Sequence, residues 1–181
     1  AEAALVTAES NLASTKESLC LMLGWSYGAD VEIAELPAPD QKKIAAIDVN
    51  ADIQTALDNS YAYCLTQKQL TNARTDTVKE KLTETAKNQK ETISNSVKSA
   101  YDSLILAQSN YEQAQSALAL QEVSMKSADA KLAAGTITKN TYESQKASYT
   151  TAQVTAQTQK LSLLQAMVDY DWSVNGLASA E

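Results

Sequence analysis

Apolar residues recur at helical spacing through most of this sequence. Residues 40–134 contain neither Gly nor Pro, and neither do residues 136–175. Both stretches are rich in Ala, Gln, Lys, Glu, Ser and Thr, with few of the alternating β-branched or aromatic residues that indicate strands. The pattern predicts an all-α fold built from long antiparallel helices.

The first predicted helix runs from about Glu2 to Leu23. Leu5, Leu12 and Leu19 recur every seven residues, which is the spacing of a coiled-coil seam. Gly24 is the expected terminator, because glycine readily adopts the left-handed conformation that ends a helix. Residues 25–50 contain another glycine, both prolines and several acidic residues. They are predicted to form an irregular connector with room for only a short turn of helix.

The next helix, from about residue 51, would run to Ala134 if nothing interrupted it. Thr77 and Glu80 have the spacing of a capping box, and Thr75 and Asp76 are residue types that favour turns. One interpretation is therefore a break at 75–77 between helices at 51–74 and 78–133. A helix at 78–133 would be roughly 84 Å long at about 1.5 Å per residue, so shorter helices laid end to end could cover it. The alternative is one unbroken helix whose Thr and Asp side chains are solvated.

The last predicted helix, at 139–175, carries two stripes of residues seven apart. The first stripe consists of Tyr142, Tyr149, Ala156, Leu163 and Tyr170. The second stripe consists of Ala147, Val154, Leu161 and Val168, on another face. One seam needs one stripe, so two stripes predict a helix with neighbours on both sides, as in a curved wall.

Between the two long helices, Gly135 is predicted to be the bend of a helical hairpin. Lys131 lies in the last turn of the preceding helix, where its charge complements the helix dipole. Gly135 can adopt the positive φ of a residue just after a helix end. Thr138 or Asn140 can then cap the returning helix, which places the tip at 135–139. A plain connector without function would show the same features.

The composition limits the kinds of core, partner and metal site that the chain can have. Apolar residues make up 44% of the chain but are dominated by Ala, with no Phe, which suits thin helix-on-helix layers. The 15 basic and 22 acidic residues give a net charge of −7, which opposes nucleic-acid binding. Cys20 and Cys64 lack the spacing of a zinc site, and each is expected to be a small buried residue unless an oxidising compartment pairs them.

The sequence argues against an enzyme. It contains no His and no Gly-rich phosphate loop, and its carboxylates are scattered along helix faces. We therefore predict no catalytic residues, metal or cofactor. No apolar run reaches the length of a transmembrane helix. The chain opens in the middle of a helical pattern, without Met or a signal peptide, so it is expected to be an excerpt of a longer protein.

The order of several short motifs resembles the TolC-type outer-membrane efflux proteins. In that family a helix ends in Leu and Gly, a variable connector follows, and the next helix begins near Ala-Leu-x-Asn. A long helix containing Val-x-x-Ala-Tyr then leads to a Gly-Thr-x-Thr tip. The matching residues here are Leu19, Leu23 and Gly24; Ala56, Leu57 and Asn59; Val97, Ala100 and Tyr101; Gly135, Thr136 and Thr138; and, at the end of the returning helix, Tyr170 and Gly176. Each motif is degenerate, and their order over nearly the whole chain is the specific part.

The resemblance implies a division into the end of a preceding repeat at 1–24, an equatorial connector at 25–50 and a hairpin repeat at 51–181. It also implies a passive trimeric channel in the cell envelope, between periplasm and outer membrane. Its tips would dock to a periplasmic adaptor protein that joins it to an inner-membrane transporter. Gly135, Thr136, Thr138 and Asn140 would form the adaptor-contact tip.

Three departures from the family pattern keep an alternative open. Residues 72–80 leave no space for the β-hairpin that the family inserts there. The Asp and Ala usual after the tip are Thr141 and Gln145, and only about one of the family's two repeats is present. The alternative is an envelope coiled-coil adaptor or structural protein without conduit activity.

Overall fold

The computed structural model describes residues 2–26, 28 and 36–176, and side chains from residue 5 onwards. These residues form six helices and no strand, so the all-α prediction is confirmed. The helices are α1 (Glu2–Met22), α2 (Gln41–Ala45), α3 (Val49–Asn59), α4 (Tyr61–Asn72), α5 (Asp76–Ala133) and α6 (Lys139–Val174). The chain divides into two compact units, Ala1–Pro37 and Ala38–Glu181.

The first unit contains α1, which ends as predicted. Gly24 has a φ of 75°. Its N–H donates to the carbonyl of Leu21, and the N–H of Trp25 donates to the carbonyl of Cys20. These two bonds satisfy carbonyls that the helix end would otherwise leave unpaired, which is the Schellman arrangement. The seam residues Leu5, Leu12 and Leu19 are 60%, 67% and 42% exposed, so the described structure supplies no packed partner for them.

The predicted connector at 25–50 is only partly covered, because residues 27 and 29–35 lie outside the described residues. Its described part contains the short helix α2, capped by the Asp40 carboxylate, which accepts from the N–H groups of Lys42 and Lys43. Ile44 of α2 is buried. The Asp48 carboxylate then caps α3 by accepting from Asn50 and Ala51. Helical structure therefore resumes slightly before the predicted boundary at residue 51.

The predicted single helix at 51–74 is wrong, because it is interrupted at Ser60. Ser60 has an extended backbone, and its hydroxyl accepts from the N–H of Tyr63 at the start of α4. The Cys64 thiol donates to the carbonyl of Asp58 at 3.3 Å, at the end of α3. Side chains thus satisfy backbone groups on both sides of the break. The apolar periodicity did not indicate this break, because neither Gly nor Pro occurs near residue 60.

A break precedes the long helix, but it lies slightly before the predicted position of 75–77, and the predicted capping box is wrong. Residues 73–75 separate α4 from α5, and Thr75 occupies the N-cap position without a side-chain hydrogen bond. Thr77 and Glu80 lie within α5. Asp76 at the first helical position instead places a negative charge at the positive end of the helix dipole, where it is favourable.

The second unit is built on α5, whose 58 residues pack against α3, α4 and α6. The antiparallel pair of α5 and α6 is its main interface. The α4 helix lies against the first part of α5, since Ser60 and Ala62 line one groove with residues from Thr85 to Ile93. One long helix packed against shorter ones is therefore the observed arrangement, as predicted.

The core of this unit lies where α2 and α3 meet α5 and α6. It consists of Ile44, Ala56, Val97, Leu104, Leu163 and Tyr170. Val97 and Leu163 are fully buried. Elsewhere along α5 the buried residues are mostly Ala, so the helices pack closely but bury little apolar surface.

Polar contacts fasten the carboxyl end of α6 to the earlier helices. The Tyr170 hydroxyl donates to the Asp52 carboxylate of α3 at 2.6 Å, and the Lys43 ammonium of α2 pairs with the Asp171 carboxylate. The Asn59 side-chain amide donates to the carbonyl of Val174. We call Lys43, Asp52, Asn59, Tyr170 and Asp171 the carboxyl-end cluster. It fixes where α6 stops along α3.

Candidate functional site at the hairpin tip

The α5 helix ends at the bend with the same type of hydrogen-bonded terminus that ends α1 at Gly24. Gly135 has a φ of 66°, and its N–H donates to the carbonyl of Leu132. Both the N–H and the hydroxyl of Thr136 donate to the carbonyl of Lys131, each at 2.9 Å. Apart from Gly135 itself and its two chain neighbours, no atom of the described residues lies within 4 Å of the place where a side chain at 135 would begin. Glycine is therefore required here by its backbone angle and not by space.

The returning helix is capped by Thr138, one of the two predicted candidates. The Thr138 hydroxyl accepts from the N–H of Thr141 at 3.2 Å, and its carbonyl accepts from the N–H of Tyr142. The prediction that Asn140 could be the cap is wrong, since Asn140 lies inside the first turn of α6. The returning helix begins at Lys139, as predicted, and residues 134–138 form the non-helical connection.

Two side-chain pairs join α5 to α6 just behind the tip. The Tyr142 hydroxyl donates to the Asp129 carboxylate at 2.9 Å, and the Gln145 amide donates to the Gln121 carbonyl oxygen at 2.9 Å. The hydrogen bond to Asp129 raises the pKa of Tyr142, with smaller contributions from partial burial and from the negative charges of Asp129 and Glu143. These bonds hold the two helices in one register near the bend.

A shallow groove lies between α5 and α6 beside the bend. Its volume is about 360 Å³. Half-buried Ile137 contributes to the wall from the loop. The other lining residues are Val123, Ser124, Ser127, Ala128, Lys131, Thr141 and Gln145. Short side chains dominate this set, so a partner's side chain has room between the two helices.

The structure brings all four predicted tip residues to one end of the hairpin. Gly135, Thr136, Thr138 and Asn140 are all exposed there. Neither Ile137 nor the groove behind it was predicted from the sequence. A single apolar residue between Gly135 and Thr138 was the available signal, since an apolar side chain in so short a loop needs a surface to cover it.

The described residues offer little for bond-making chemistry at this tip. Lys131 is the only charged side chain in the groove lining, and no group of three His, Cys, Asp or Glu side chains in the described part of the chain could hold a metal ion. Both cysteines are free thiols, with Cys20 buried and Cys64 half-buried. Among the described helices, none combines the length and apolar character needed to cross a membrane. The arrangement suits contact between surfaces.

Comparison with protein-family models, with curated proteins and with solved structures gives no match in any of the three searches.

Proposed function

We propose that this chain is the periplasmic helical-barrel portion of an outer-membrane efflux or export channel. It would act as a passive conduit in the cell envelope. The observation that carries the proposal is the hairpin itself: α5 and α6 run side by side from the core to an exposed tip at Gly135. Such a hairpin can form one segment of a larger helical wall and present its bend to another protein.

The two faces of α6 support this role. The first stripe packs inward, with Ala156, Leu163 and Tyr170 buried. In the second stripe, Val154, Leu161 and Val168 are 56%, 50% and 47% exposed. An apolar stripe along a helix is normally covered, because leaving it in water loses the free energy of burial. A neighbouring copy in a trimer or other homo-oligomer would cover it.

The tip supports the choice of partner. Its exposed residues include Gly135, Thr136 and Thr138, which are small or hydroxylated, and the groove beside it has room for a side chain, as expected of a surface that docks to another helical tip. In this proposal the partner is a periplasmic adaptor protein, which connects the conduit to an inner-membrane transporter. The transporter supplies the energy and the chain supplies only the wall.

The second stripe can be tested with neighbouring substitutions. Val154→Asp places a charge on the stripe, whereas Thr155→Asp places the same charge one residue away. We expect both variants to melt like the parent chain, while only Val154→Asp lowers the assembly mass measured by light scattering. Equal masses for the two variants, or a parent that stays monomeric at high concentration, would contradict lateral packing through this face.

The docking role is tested with the full-length protein in a strain lacking its channel. Thr136→Arg at the tip should abolish both adaptor co-purification and restored export, whereas Ser116→Arg on the exposed surface of α5 should leave both intact. If the unmodified protein neither binds an adaptor nor restores export, the conduit proposal fails.

One observation favours the alternative of an envelope coiled-coil adaptor or structural protein without conduit activity. The α4 and α5 helices are joined directly by residues 73–75, where the resembled family carries additional strands. A structural coiled coil would still associate through the second stripe, but the Thr136→Arg variant would behave like its control. The tip substitution therefore distinguishes the two functions.

A further inference from the structure

The end of α6 carries the only Asn-Gly pair in the sequence, Asn175-Gly176. In such a pair the Gly nitrogen can attack the Asn side-chain carbonyl carbon. Glycine permits this because it has no Cβ to hinder the approach and can rotate freely. The new C–N bond closes a five-membered succinimide, and the side-chain nitrogen leaves as ammonia. Water then opens the ring to give aspartate or isoaspartate, so no oxidant or reductant is needed.

The folded geometry holds Asn175 away from this reaction. Its ψ of 5° nearly eclipses the Gly176 nitrogen with the Asn175 nitrogen, whereas ring closure needs the Gly176 nitrogen beside Cβ. The Asn175 side-chain amide donates to the carbonyl of Asp171 at 2.7 Å, which directs the side chain back along the helix. Both features must be lost before the ring can close.

Gly176 is restrained as well. It has a φ of 71°, and a Cβ at this position would lie 3.2 Å from the carbonyl oxygen of Asn59 at the end of α3. The backbone of Gly176 therefore sits close against α3. Rotation of the Asn175-Gly176 peptide requires the end of α6 to separate from α3, and the carboxyl-end cluster opposes that separation.

We propose that Asn175 is a site of spontaneous deamidation whose rate is set by opening of the α6 end from α3. The proposal is independent of the conduit function. When local opening and closing are fast, a reaction confined to the open form proceeds in proportion to the population of that form. The Tyr170–Asp52 hydrogen bond lowers that population and thereby protects Asn175.

The product would favour the open state. A carboxylate at 175 accepts but cannot donate hydrogen bonds, so it loses the bond to the Asp171 carbonyl. It also adds a negative charge one helical turn after Asp171, at the negative end of the helix dipole. Each modified molecule would therefore keep a loosened α6 end, and the change would not reverse.

The rate is tested by incubating the folded chain in warm neutral buffer and measuring deamidation at Asn175 by peptide mapping. The same chain in urea gives the rate without structure. We expect slow reaction in the folded chain, fast reaction in urea, and an increase of about three- to tenfold in Tyr170→Phe, which loses the bond to Asp52. Tyr142→Phe removes the equivalent bond at the tip and should react like the parent.

Two results would overturn the proposal. One is a folded rate equal to the rate in urea, which would mean that the structure gives no protection. The other is the same rate in the two tyrosine variants, which would mean that the carboxyl-end cluster does not control the opening. Circular dichroism of each variant establishes that it remains folded during the incubation.

The consequence is tested with a substitution that reproduces the aspartate product. Asn175→Asp should speed hydrogen exchange in the last turn of α6. Asn140→Asp is the matched control, because it makes the same chemical change at the amino end of the same helix, where a negative charge is favourable. Unchanged exchange in Asn175→Asp would show that modification does not loosen the helix end.

Discussion

At the residue scale, glycines with positive φ and tyrosines bonded to aspartates govern the ends of the helices. Gly24 and Gly135 each allow two backbone N–H groups to reach back to the last turn of a helix. Tyr142 and Tyr170 each bridge to a carboxylate on another helix, at opposite ends of α6. The glycines set where helices stop, and the tyrosines set how neighbouring helices are aligned.

Gly135→Val should lower the free energy of unfolding by about 1 kcal/mol or more, because a β-branched residue is strained at positive φ. The neighbouring substitution Ala134→Val is the control, since Ala134 has a φ of −78° that valine tolerates. We expect a cost of about 0.5 kcal/mol or less for the control. Urea unfolding of both variants measures the difference, and equal midpoints would argue against a strained position.

Tyr170 should make the fold sensitive to alkaline pH. Burial, the hydrogen bond to Asp52 and that residue's negative charge raise the pKa of Tyr170 above its ordinary value. The unfolded chain therefore loses this proton first, starting near pH 10. The stabilisation by neutral Tyr170 is complete below that pH and declines as pH rises towards the folded pKa.

Urea unfolding across the alkaline range should thus show the advantage of the parent over Tyr170→Phe shrinking above about pH 10. Tyr61→Phe serves as the control, because Tyr61 is 80% exposed. A constant difference between the parent and Tyr170→Phe would mean that Tyr170 ionises alike in both states.

At the scale of the element, α6 separates its two apolar stripes by environment. Leu163 is fully buried against the core, and Leu161, two residues earlier, is half exposed on the other face. The periodicity identified both stripes but could not show which one the chain itself would cover. That depends on which helix lies beside α6, and α5 covers only one face.

Leu163→Ala should lower the free energy of unfolding by about 2–5 kcal/mol, because it leaves a cavity in the core. Leu161→Ala makes the same change on the exposed stripe and should change the free energy of unfolding of the dilute chain by about 0.5 kcal/mol or less. Thermal unfolding at low concentration measures both variants. Similar losses in the two would mean that Leu161 is packed within a single chain.

Helix ends could be predicted from the sequence where a glycine marked them and were harder to predict elsewhere. Gly24 and Gly135 lie where predicted because the left-handed conformation strongly prefers glycine. Ser60 ends α3 through its extended backbone and starts α4 through its hydroxyl, and serine is also common inside helices. Thr77 and Glu80 match the sequence pattern of a capping box, yet the helix begins one residue before Thr77, at Asp76.

At the scale of the whole molecule, packing differs between the two units. In the second unit, apolar side chains from four helices form a common core. In the first, Leu5, Val6 and Leu12 of α1 are all more than half exposed. A helix without a packed apolar face is only marginally stable in water. The described packing therefore makes the second unit more stable than α1 of the first unit.

Hydrogen exchange of the intact chain should show this difference. Amides of residues 5–15 are expected to exchange quickly, and those around Val97, Leu104 and Leu163 should exchange most slowly, because their opening exposes the core. Mass spectrometry of peptic fragments resolves the two regions. Equal protection in both would show that α1 has a partner in solution.

The candidate site could be predicted only in outline. Gly135, Thr136 and Thr138 were identified because their residue types determine the bend. The apolar Ile137 indicated a covered loop, but the groove that it lines is formed by residues of both α5 and α6, and their pairing is not encoded by any local pattern. The Tyr142–Asp129 pair likewise depends on the register of α5 against α6, and that register exists only once the hairpin has closed.

The interruption at Ser60 affects how shorter helices keep their apolar faces directed at the long helix α5. An α-helix has about 3.6 residues per turn, so a stripe repeated every seven residues rotates by about 20° per heptad around a straight helix. The break at Ser60 lets α3 and α4 be oriented independently about their own axes. Each of them can therefore turn its own buried residues inward, Ala56 and Leu57 in α3 and Thr66 in α4, while both helices pack against α5.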